Sequence, residues 1–319
     1  MFQELREIIE RNDTIVIFGH SYPDGDCYGS QIGLRELLRL NYPNKKVFAV
    51  GSGLKRFFHF IGEMDDVDDE TIKQSLAILV DGNDFSRMED QRVETAKEFI
   101  KIDHHIENFR FTQGKFVLDT NANSTCELVV QFAIESDWDL NPTICNALYL
   151  GILTDSGRFQ FVEDFPSCFE EVALLCKNGA DPKEINAILN WTNEQAMQFK
   201  GYVYNNYQKT DAGVIYLVLT YETLTKLKVS PNKAGQMVNL LSNVVGYPVW
   251  AFFMEFEDGT CHAEFRSNGP GVQPIASKYG GGGHLMAAGV TIPSIDMKLI
   301  NQILGDLDEA IIEYKKERE

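Results

Sequence analysis

Short apolar runs alternate with helical patterns over the first half of the chain. The runs are typical of buried strands and lie at 14–18, 47–50, 76–80, 98–102 and 116–118. Apolar residues recur with helical spacing at 1–12, 29–40, 86–97, 124–136 and 142–153. This alternation predicts βαβ units and an α/β fold with a Rossmann-like, mostly parallel sheet. Ligands of such sheets bind outside the carboxyl ends of the strands.

The second half of the chain follows a different pattern. Residues 165–208 are helical in character, and after Gly213 short strands at 214–219, 249–256, 261–266 and 289–292 mix with helices at 221–227, 233–243 and from about 295. A length of 319 residues is large for one hydrophobic core. We therefore expect a first domain over 1–190, a linker over 191–211 and a smaller α+β domain over 212–319.

The charge balance limits the choice of partner. The formal charge is -18, from 29 basic and 47 acidic residues, whereas long nucleic acid requires a basic face. The negative net charge does not exclude a short anionic substrate that is held by metal ions and a few basic groups. No apolar run reaches the roughly 20 residues of a membrane span. The start of the chain reads as an amphipathic helix rather than a signal peptide, and the six cysteines form no C-x-x-C pair. We expect a cytoplasmic protein without membrane partners.

Acidic and imidazole side chains cluster where the apolar runs end. Carboxylates and imidazoles without thiolates suit Mn²⁺ or Mg²⁺ better than structural Zn²⁺. Two such ions about 3.5–4 Å apart can clamp the oxygens of a phosphoryl transfer, and Asp81 could bridge them. The competing interpretation is a set of satisfied polar groups at strand ends, and spacing alone does not distinguish His104 from His105. The residues concerned are His20, Asp24, Asp26, Asp81, Asp103, His104, His105 and Asp155.

Four segments carry a family resemblance. Gly19-His20-Ser21-Tyr22-Pro23-Asp24-Gly25-Asp26, Asp103-His104-His105 and Thr154-Asp155-Ser156-Gly157-Arg158-Phe159 resemble the signature motifs of the DHH phosphoesterases. The run from Gly280 to Gly289, which contains Gly281-Gly282-Gly283-His284, resembles the GGGH motif of their associated nucleotide-binding domain. The resemblance spans about residues 14–292, and size and domain content are most similar to the nano-RNase/pAp-phosphatase branch.

The resemblance implies a ligand set and two catalytic roles. Two Mn²⁺ ions, with Mg²⁺ as an alternative, are implied in the first domain. His105 would face the scissile phosphate as hydrogen-bond donor or leaving-group acid, and Asp103 would orient a neighbouring imidazole. The implied ligands are His20 and Asp24 for the first ion, Asp26, His104 and Asp155 for the second, and Asp81 as the bridge.

The smaller domain is implied to bind the far end of the substrate. Its glycine run could be a plain flexible loop, but beside His284 and Arg266 we interpret it as an anion cradle of backbone N–H groups. Arg158 could reach substrate or form a structural ion pair. The expected substrate-binding residues are Arg158, Arg266, Ser267, Gly281, Gly282, Gly283 and His284.

Three further positions near the motif residues, Cys27, Asp84 and Arg87, need an interpretation of their own. Cys27 stands where a small residue is common, and we expect it to pack as one rather than to act as a ligand. Asp84 competes with Asp81 for the bridging role. Arg87 is interpreted as a surface or salt-bridging residue rather than a phosphate clamp.

The function implied is metal-dependent hydrolysis of short oligoribonucleotides to mononucleotides, and of adenosine 3′,5′-bisphosphate (pAp) to AMP. A phosphodiesterase for linear or cyclic dinucleotides, pApA or cyclic di-AMP, is the close alternative. A non-catalytic nucleotide-binding protein is less favoured because every ligand position is present. The expected partners are short RNAs, pAp or dinucleotides, and a homodimer is compatible with the resemblance.

Overall fold

The computed structural model describes residues 2–82, 85–105, 115–162 and 164–318. The chain divides into two compact units, Met1–Trp191 and Thr192–Glu319. None of the described helices is both long enough and apolar enough to cross a membrane.

The first unit is built on a parallel sheet. In the part of the chain that the structure describes, its order is β2-β1-β3-β4-β5, and every neighbouring pair is parallel. Both faces of the central strands are buried, because Ile15 and Ile17 join one apolar cluster while Val16 and Phe18 join another. The strands are β1 Thr14–Phe18, β2 Lys46–Val50, β3 Leu76–Val80, β4 Glu98–Asp103 and β5 Lys115–Leu118.

Helices cover the two faces of this sheet. The helices α2 and α6 pack closely through glycines: a Cβ on Gly29 would lie 2.4 Å from the backbone oxygen of Ala147. The helices are α1 Gln3–Arg11, α2 Gly25–Asn41, α3 Phe58–Ile61, α4 Asp69–Gln74, α5 Thr125–Glu135, α6 Pro142–Asp155, α7 Phe165–Lys177 and α8 Pro182–Asn190.

One predicted helix of this unit is wrong. Residues 86–97 form two 3₁₀ turns, Phe85–Arg87 and Gln91–Thr95, instead of one helix. The segment is held to the end of β1, where Ser21 N donates to Arg87 O and Glu89 N donates to Gly19 O. Asp90 then caps the second turn through Arg92 N. These non-local bonds override the helical spacing.

The second unit contains a mixed sheet of order β10-β11-β9-β8-β7-β6, in which only the described pair β7–β8 is parallel. Ala263 and Phe265 face the apolar side of the terminal helix, and Phe252 and Met254 face the opposite core. The strands are β6 Gln208–Lys209, β7 Val214–Leu219, β8 Val249–Glu255, β9 Cys261–Ser267, β10 Gly282–His284 and β11 Ala287–Ile292. The helices are α9 Glu194–Asn206, α10 Tyr221–Lys226, α11 Pro231–Gly235, α12 Gln273–Lys278 and α13 Met297–Lys316.

The predicted fold class, a mostly parallel α/β domain with a smaller α+β domain, is confirmed. Within the second unit, the helix predicted over 233–243 is divided into α11 and a 3₁₀ turn, Val238–Leu241. Residues of the predicted linker form α9 and β6, and Phe199 and Val203 of α9 pack into the core of the second unit.

Gly29→Ala tests the close packing of α2 against α6. The new methyl would meet a backbone carbonyl that cannot swing away. We expect the free energy of unfolding to fall by about 1–3 kcal/mol, the usual cost of overpacking, as measured by urea denaturation. Gly201→Ala is the matched control, since Gly201 also lies in a helix but has nothing within 4 Å of its Cβ position. Equal effects of the two substitutions would contradict tight packing at Gly29.

Candidate active site

The polar residues predicted as a site meet at one edge of the parallel sheet. The neighbouring strands β1, β3 and β4 end there, so that His20, Asp81 and His105 come together. Asp24 and Asp26 arrive at the start of α2, and Asp155 is the last residue of α6. A pocket of about 200 Å³ is lined by His20, Asp24, Asp81, Gly82, Arg87, His105 and Asp155.

One cluster joins Asp26, His104 and Asp155. The Nε2 atom of His104 lies 3.2 Å from Asp155 Oδ2 and 3.9 Å from Asp26 Oδ2. One ligand atom from each of the three residues lies within 4.8 Å of the others. These are the residues that the resemblance implies for the second ion.

Asp81 faces both sides of the site. Its Oδ2 lies 3.5 Å from His20 Nε2, and its Oδ1 lies 3.9 Å from His104 Nε2 and 3.5 Å from His105 Nδ1. The residue is 4% exposed and has φ 55°, a left-handed conformation that is costly for a non-glycine residue. Its position between the histidines suits a bridging carboxylate. Asp84, its rival, lies outside the described residues.

The donor set fits a divalent cation. The Nε2 atom of His104 is buried and has no hydrogen-bond partner among the described residues, although it points at Asp26, Asp81 and Asp155. Its Nδ1 donates to the backbone oxygen of Ala122 at 3.2 Å, which leaves the Nε2 lone pair directed into the cluster. A buried lone pair surrounded by carboxylates is a suitable position for a metal ion.

The pKa values record the same crowding of charge. Burial, together with the charges of Asp81 and Asp155, raises the pKa of Asp26 well above its ordinary value. Burial also raises the pKa of Asp155 to about 6, with Asp81 and Asp24 adding to the effect and His104 opposing it. The hydrogen bond to Asp81 raises the pKa of His20 to about 9. A bound cation would relieve the repulsion between these carboxylates.

Backbone N–H groups hold the two acids of the α2 segment. Asp24 Oδ1 caps α2 by accepting from Asp26 N and Cys27 N, both at 3.0 Å. Asp26 accepts from Thr125 N at 2.7 Å and from Cys126 N at 2.9 Å, the first residues of α5. The sequence interpretation missed this support from α5.

A sequence signal for that helix start was present. Ser124 and Glu127 have the spacing of a capping box, and Ser124 Oγ accepts from Glu127 N. Glu127 Oε2 accepts from the backbone N and the Nδ2 of Asn123, which fixes the turn before α5. The pattern predicts a helix N-terminus, but not which carboxylate the helix will bind.

His105 and Asp103 form a hydrogen-bonded pair beside the pocket. Asp103 Oδ1 accepts from His105 Nδ1 at 2.8 Å and from His105 N at 3.2 Å. Burial alone would raise the pKa of Asp103, but the bond from His105 and the charge of Lys101 outweigh it and lower the pKa to about 2. The structure thus brings the two predicted catalytic residues into contact.

Cys27 and Arg158 have structural contacts in the described chain. The Cys27 Sγ accepts from His20 N at 3.3 Å, and burial raises the pKa of the thiol, which agrees with its expected packing role. Arg158 donates to Asn190 Oδ1 at 2.7 Å and has φ 60°. Neither contact assigns a substrate role.

Arg87 lies nearer to the site than its sequence interpretation suggests. Its backbone oxygen accepts a hydrogen bond from Ser21 N, and the residue lines the same pocket as the candidate metal ligands. The signal that could have found it is the short distance along the chain from Asp81.

The second unit brings Arg266 and His284 onto one sheet face. The register pairs His284 with Ala287 and Ala287 with Arg266, so the three side chains form a row. Gly282 and Gly283 belong to strand β10 rather than to a free loop, and Gly281 precedes it. Ser267 is buried, and its Oγ accepts from Gly269 N.

Glu264 is a residue that the sequence interpretation missed. It accepts from Arg266 Nη1 at 2.8 Å and contacts His262 Nε2 at 3.1 Å. The three residues line a pocket of about 160 Å³ together with Phe256 and Met254. Alternation along β9 was the available signal, because positions 262, 264 and 266 share one face.

Two family models match the chain. The model described as the DHH family, N-terminal domain, matches residues 14–152, and the DHHA1 domain model matches residues 211–314. The predicted DHH resemblance is thereby confirmed. The exopolyphosphatase-related protein from Bacteroides fragilis is similar in structure, with a TM-score of 0.83 and 23% identity over 99% of this chain and 96% of that one.

Relatives of full length carry enzyme names. The chain is 36% identical to the bifunctional oligoribonuclease and PAP phosphatase NrnA of Mycoplasma genitalium, over 95% of this chain and 96% of that protein. It is 34% identical to the protein of the same name from Bacillus subtilis, over 99% and 100%. It is 25% identical to the cyclic-di-AMP phosphodiesterase GdpP of Geobacillus thermodenitrificans, over 97% of this chain and 49% of that protein.

Metal binding should release a proton from His20. Its pKa is raised to about 9, so the metal-free imidazole is protonated at pH 7–8, whereas a metal ligand must be neutral. We expect Mn²⁺ affinity to rise with pH up to about pH 9, by up to about tenfold per unit for one displaced proton. An unperturbed histidine would show this dependence only below about pH 6.5.

Calorimetry in two buffers of different ionisation enthalpy counts the released protons. His20→Asn should lose the release at pH 7.5, while His59→Gln, at an exposed position, should keep it. Absence of proton release in the unsubstituted protein at pH 7.5 would contradict the raised pKa.

Proposed function

Since the chain belongs to the DHH family, in the branch of bifunctional oligoribonucleases and PAP phosphatases, we propose that it hydrolyses short oligoribonucleotides to mononucleotides and pAp to AMP. The observation that carries the proposal is the pocket at the sheet edge, where Asp81 faces three histidines and the orphaned His104 nitrogen points at carboxylates. Such a donor set suits hydrolysis of phosphate esters.

The metal would be Mn²⁺, with Mg²⁺ as an alternative, in two positions. When bound, the ions would lower the pKa of the attacking water and offset negative charge on the phosphate. Mixed imidazole and carboxylate donors favour Mn²⁺ over purely oxygen-binding ions. The proposed ligands are His20 and Asp24 for one ion, Asp26, His104 and Asp155 for the other, and Asp81 between them.

Two side chains of the protein would act on the substrate: His105 would protonate the leaving oxygen, and Arg87 would bind the phosphate. Asp103 accepts from His105 Nδ1, so Nε2 is the ring atom left for the substrate. As the phosphorus–oxygen bond to the leaving group breaks and water oxygen bonds to phosphorus, Nε2–H would donate its proton to the leaving oxygen. Arg87 at the pocket rim would bind a phosphate oxygen.

The second unit would grip the distal nucleotide. Arg266 and His284 share a sheet face with Ala287, whose small side chain lies between them. Glu264 keeps Arg266 in place until a phosphate competes for the guanidinium. Ser267, Gly281, Gly282 and Gly283 remain proposed contributors from the same strands, and Arg158 remains one in the first unit.

A dinucleotide phosphodiesterase is the second candidate. The similarity to a relative named cyclic-di-AMP phosphodiesterase supports it, and metal ions held by the same ligands could promote cleavage of either ester.

We also propose a cytoplasmic location, because all six cysteines are free thiols.

A substrate panel separates these candidates. We expect Mn²⁺-dependent cleavage of pAp, pApA and RNAs of two to about five nucleotides, and slower cleavage of cyclic di-AMP and of longer RNA. Asp81→Asn should abolish turnover and tight Mn²⁺ binding, because Asp81 belongs to two of the three groups of potential metal ligands among the described residues. Asp66→Asn, at an exposed position, is the control. Faster cleavage of cyclic di-AMP than of every linear substrate would favour the second candidate, and near-normal activity of Asp81→Asn would promote Asp84.

Arg266→Ala tests the role of the second unit. Loss of a charge-assisted hydrogen bond, about 1.5–3 kcal/mol, should raise KM for pAp and dinucleotides about ten- to hundredfold with little change in kcat. A small artificial phosphodiester should be cleaved as before. Lys278→Ala, which removes a surface ion pair with Asp306, is the control. Equal losses on the artificial and natural substrates would place Arg266 at the reaction centre instead.

A further inference from the structure

A lysine is buried in strand β4, two residues before the catalytic motif. Lys101 is 2% exposed and Asp103 is 0% exposed, and their spacing of two places both side chains on one face of the strand. The register neighbours of Lys101 are Leu79 and Phe116, which are apolar. A buried ammonium group is expensive unless it is paired, so its position here requires an explanation.

One partner of this lysine is the carboxylate that holds His105. Lys101 Nζ lies 3.0 Å from Asp103 Oδ2, and Asp103 Oδ1 accepts from both His105 N and His105 Nδ1. One oxygen of the carboxylate therefore faces the ammonium group and the other faces the imidazole. The His105 side chain is 48% exposed and lines the pocket. Ammonium, carboxylate and imidazole form a line from the sheet interior to the site.

We propose that Lys101 is a positioning residue for the reaction, because it holds the Asp103 carboxylate and through it the ring of His105. The assignment rests on the proposed function, in which His105 acts on the leaving group. The family motif begins at Asp103 in the resemblance described above, so Lys101 lies outside it.

The physical reason is that the carboxylate is held on one side by an ion pair and on the other by hydrogen bonds. With Lys101 in place, the ion pair attracts Oδ2 toward the ammonium group, so Oδ1 stays directed at His105 Nδ1 and the ring presents Nε2 to the pocket. Without the ammonium group, the buried carboxylate loses an opposite charge, and it can turn or take up a proton. Either change releases the ring of His105. The arrangement is the general one of a base or acid oriented by a third group.

The first test is a double-mutant cycle. Lys101→Met keeps the length of the side chain and removes the charge, and we expect it to lower kcat on pAp about 10- to 100-fold with KM within about twofold. In the His105→Ala background the same substitution should cost less than about threefold, because its effect passes through His105. A phosphodiester with a p-nitrophenolate leaving group needs little proton donation and should be cleaved almost as before.

Two readouts separate positioning from a general loss of structure. Mn²⁺ binding should be unchanged in Lys101→Met. At a pH high enough that the His105 ring has lost the Nε2 proton, long-range ¹H–¹⁵N NMR should show the neutral Nδ1–H tautomer in the unsubstituted protein and a mixture of tautomers in the variant. The NMR result needs no substrate, so it distinguishes failure of the positioning from failure of the proposed function. Lys115→Met on the neighbouring strand, where the lysine pairs with Glu4 at the surface, should change neither readout.

The outcomes that overturn the proposal are specific. They are equal losses in the two His105 backgrounds, equal losses on both classes of substrate, or an unchanged ring spectrum. If Lys101→Met does not fold, Lys101→Gln replaces it in the double-mutant cycle. The glutamine amide keeps a hydrogen-bond donor toward Asp103, so we expect a smaller loss of kcat. If neither variant folds, the lysine serves the stability of the sheet, and the proposal is wrong.

Discussion

The gathering of carboxylates around Asp81 is the constraint on which the rest of the first unit depends. Asp26 and Asp81 are almost fully buried, and Asp155 lies beside them, so like charges meet in a region from which water is largely excluded. The fold offsets this cost with the first N–H groups of α5, which bind Asp26, and with three imidazoles. A cation between these groups would complete the compensation.

Carboxylic acids whose pKa values are shifted in opposite directions lie at the same edge of the sheet. Asp26 and Asp155 have raised pKa values because burial and neighbouring carboxylates disfavour their charged forms. Asp103 has a lowered pKa because His105 and Lys101 stabilise its charge. Sites in which several carboxylic acids have different chemical roles typically have environments that shift the pKa values of these acids apart. Here the first two suit a cation, and the third suits the orientation of His105.

Close packing makes this arrangement specific. The α2 helix has Asp24 as its N-cap and Asp26 in its first turn, and it reaches α6, which ends at Asp155, only because glycines occupy the crossing. A side chain at Gly151 would lie 2.8 Å from Asp26 Oδ1, so the glycine contact and the ligand geometry are one feature. In the second unit the equivalent device is Glu264, which holds Arg266 on an open sheet face. Both units fix polar groups by packing around them.

Much of this protein could be predicted from residue patterns alone. Apolar runs with period two or none locate the strands, and the acids and histidines that follow them must gather, because the ends of adjacent parallel strands meet. The motifs at His20, Asp103 and Gly281 identify the family. The sequence did not predict that 86–97 forms turns, that α5 binds Asp26, that Lys101 pairs with Asp103, or that Glu264 pairs with Arg266. The first two depend on contacts between residues distant in sequence, and the last two depend on how side chains two residues apart along a strand turn toward each other. Local patterns do not record such contacts, and only the tertiary structure decides them.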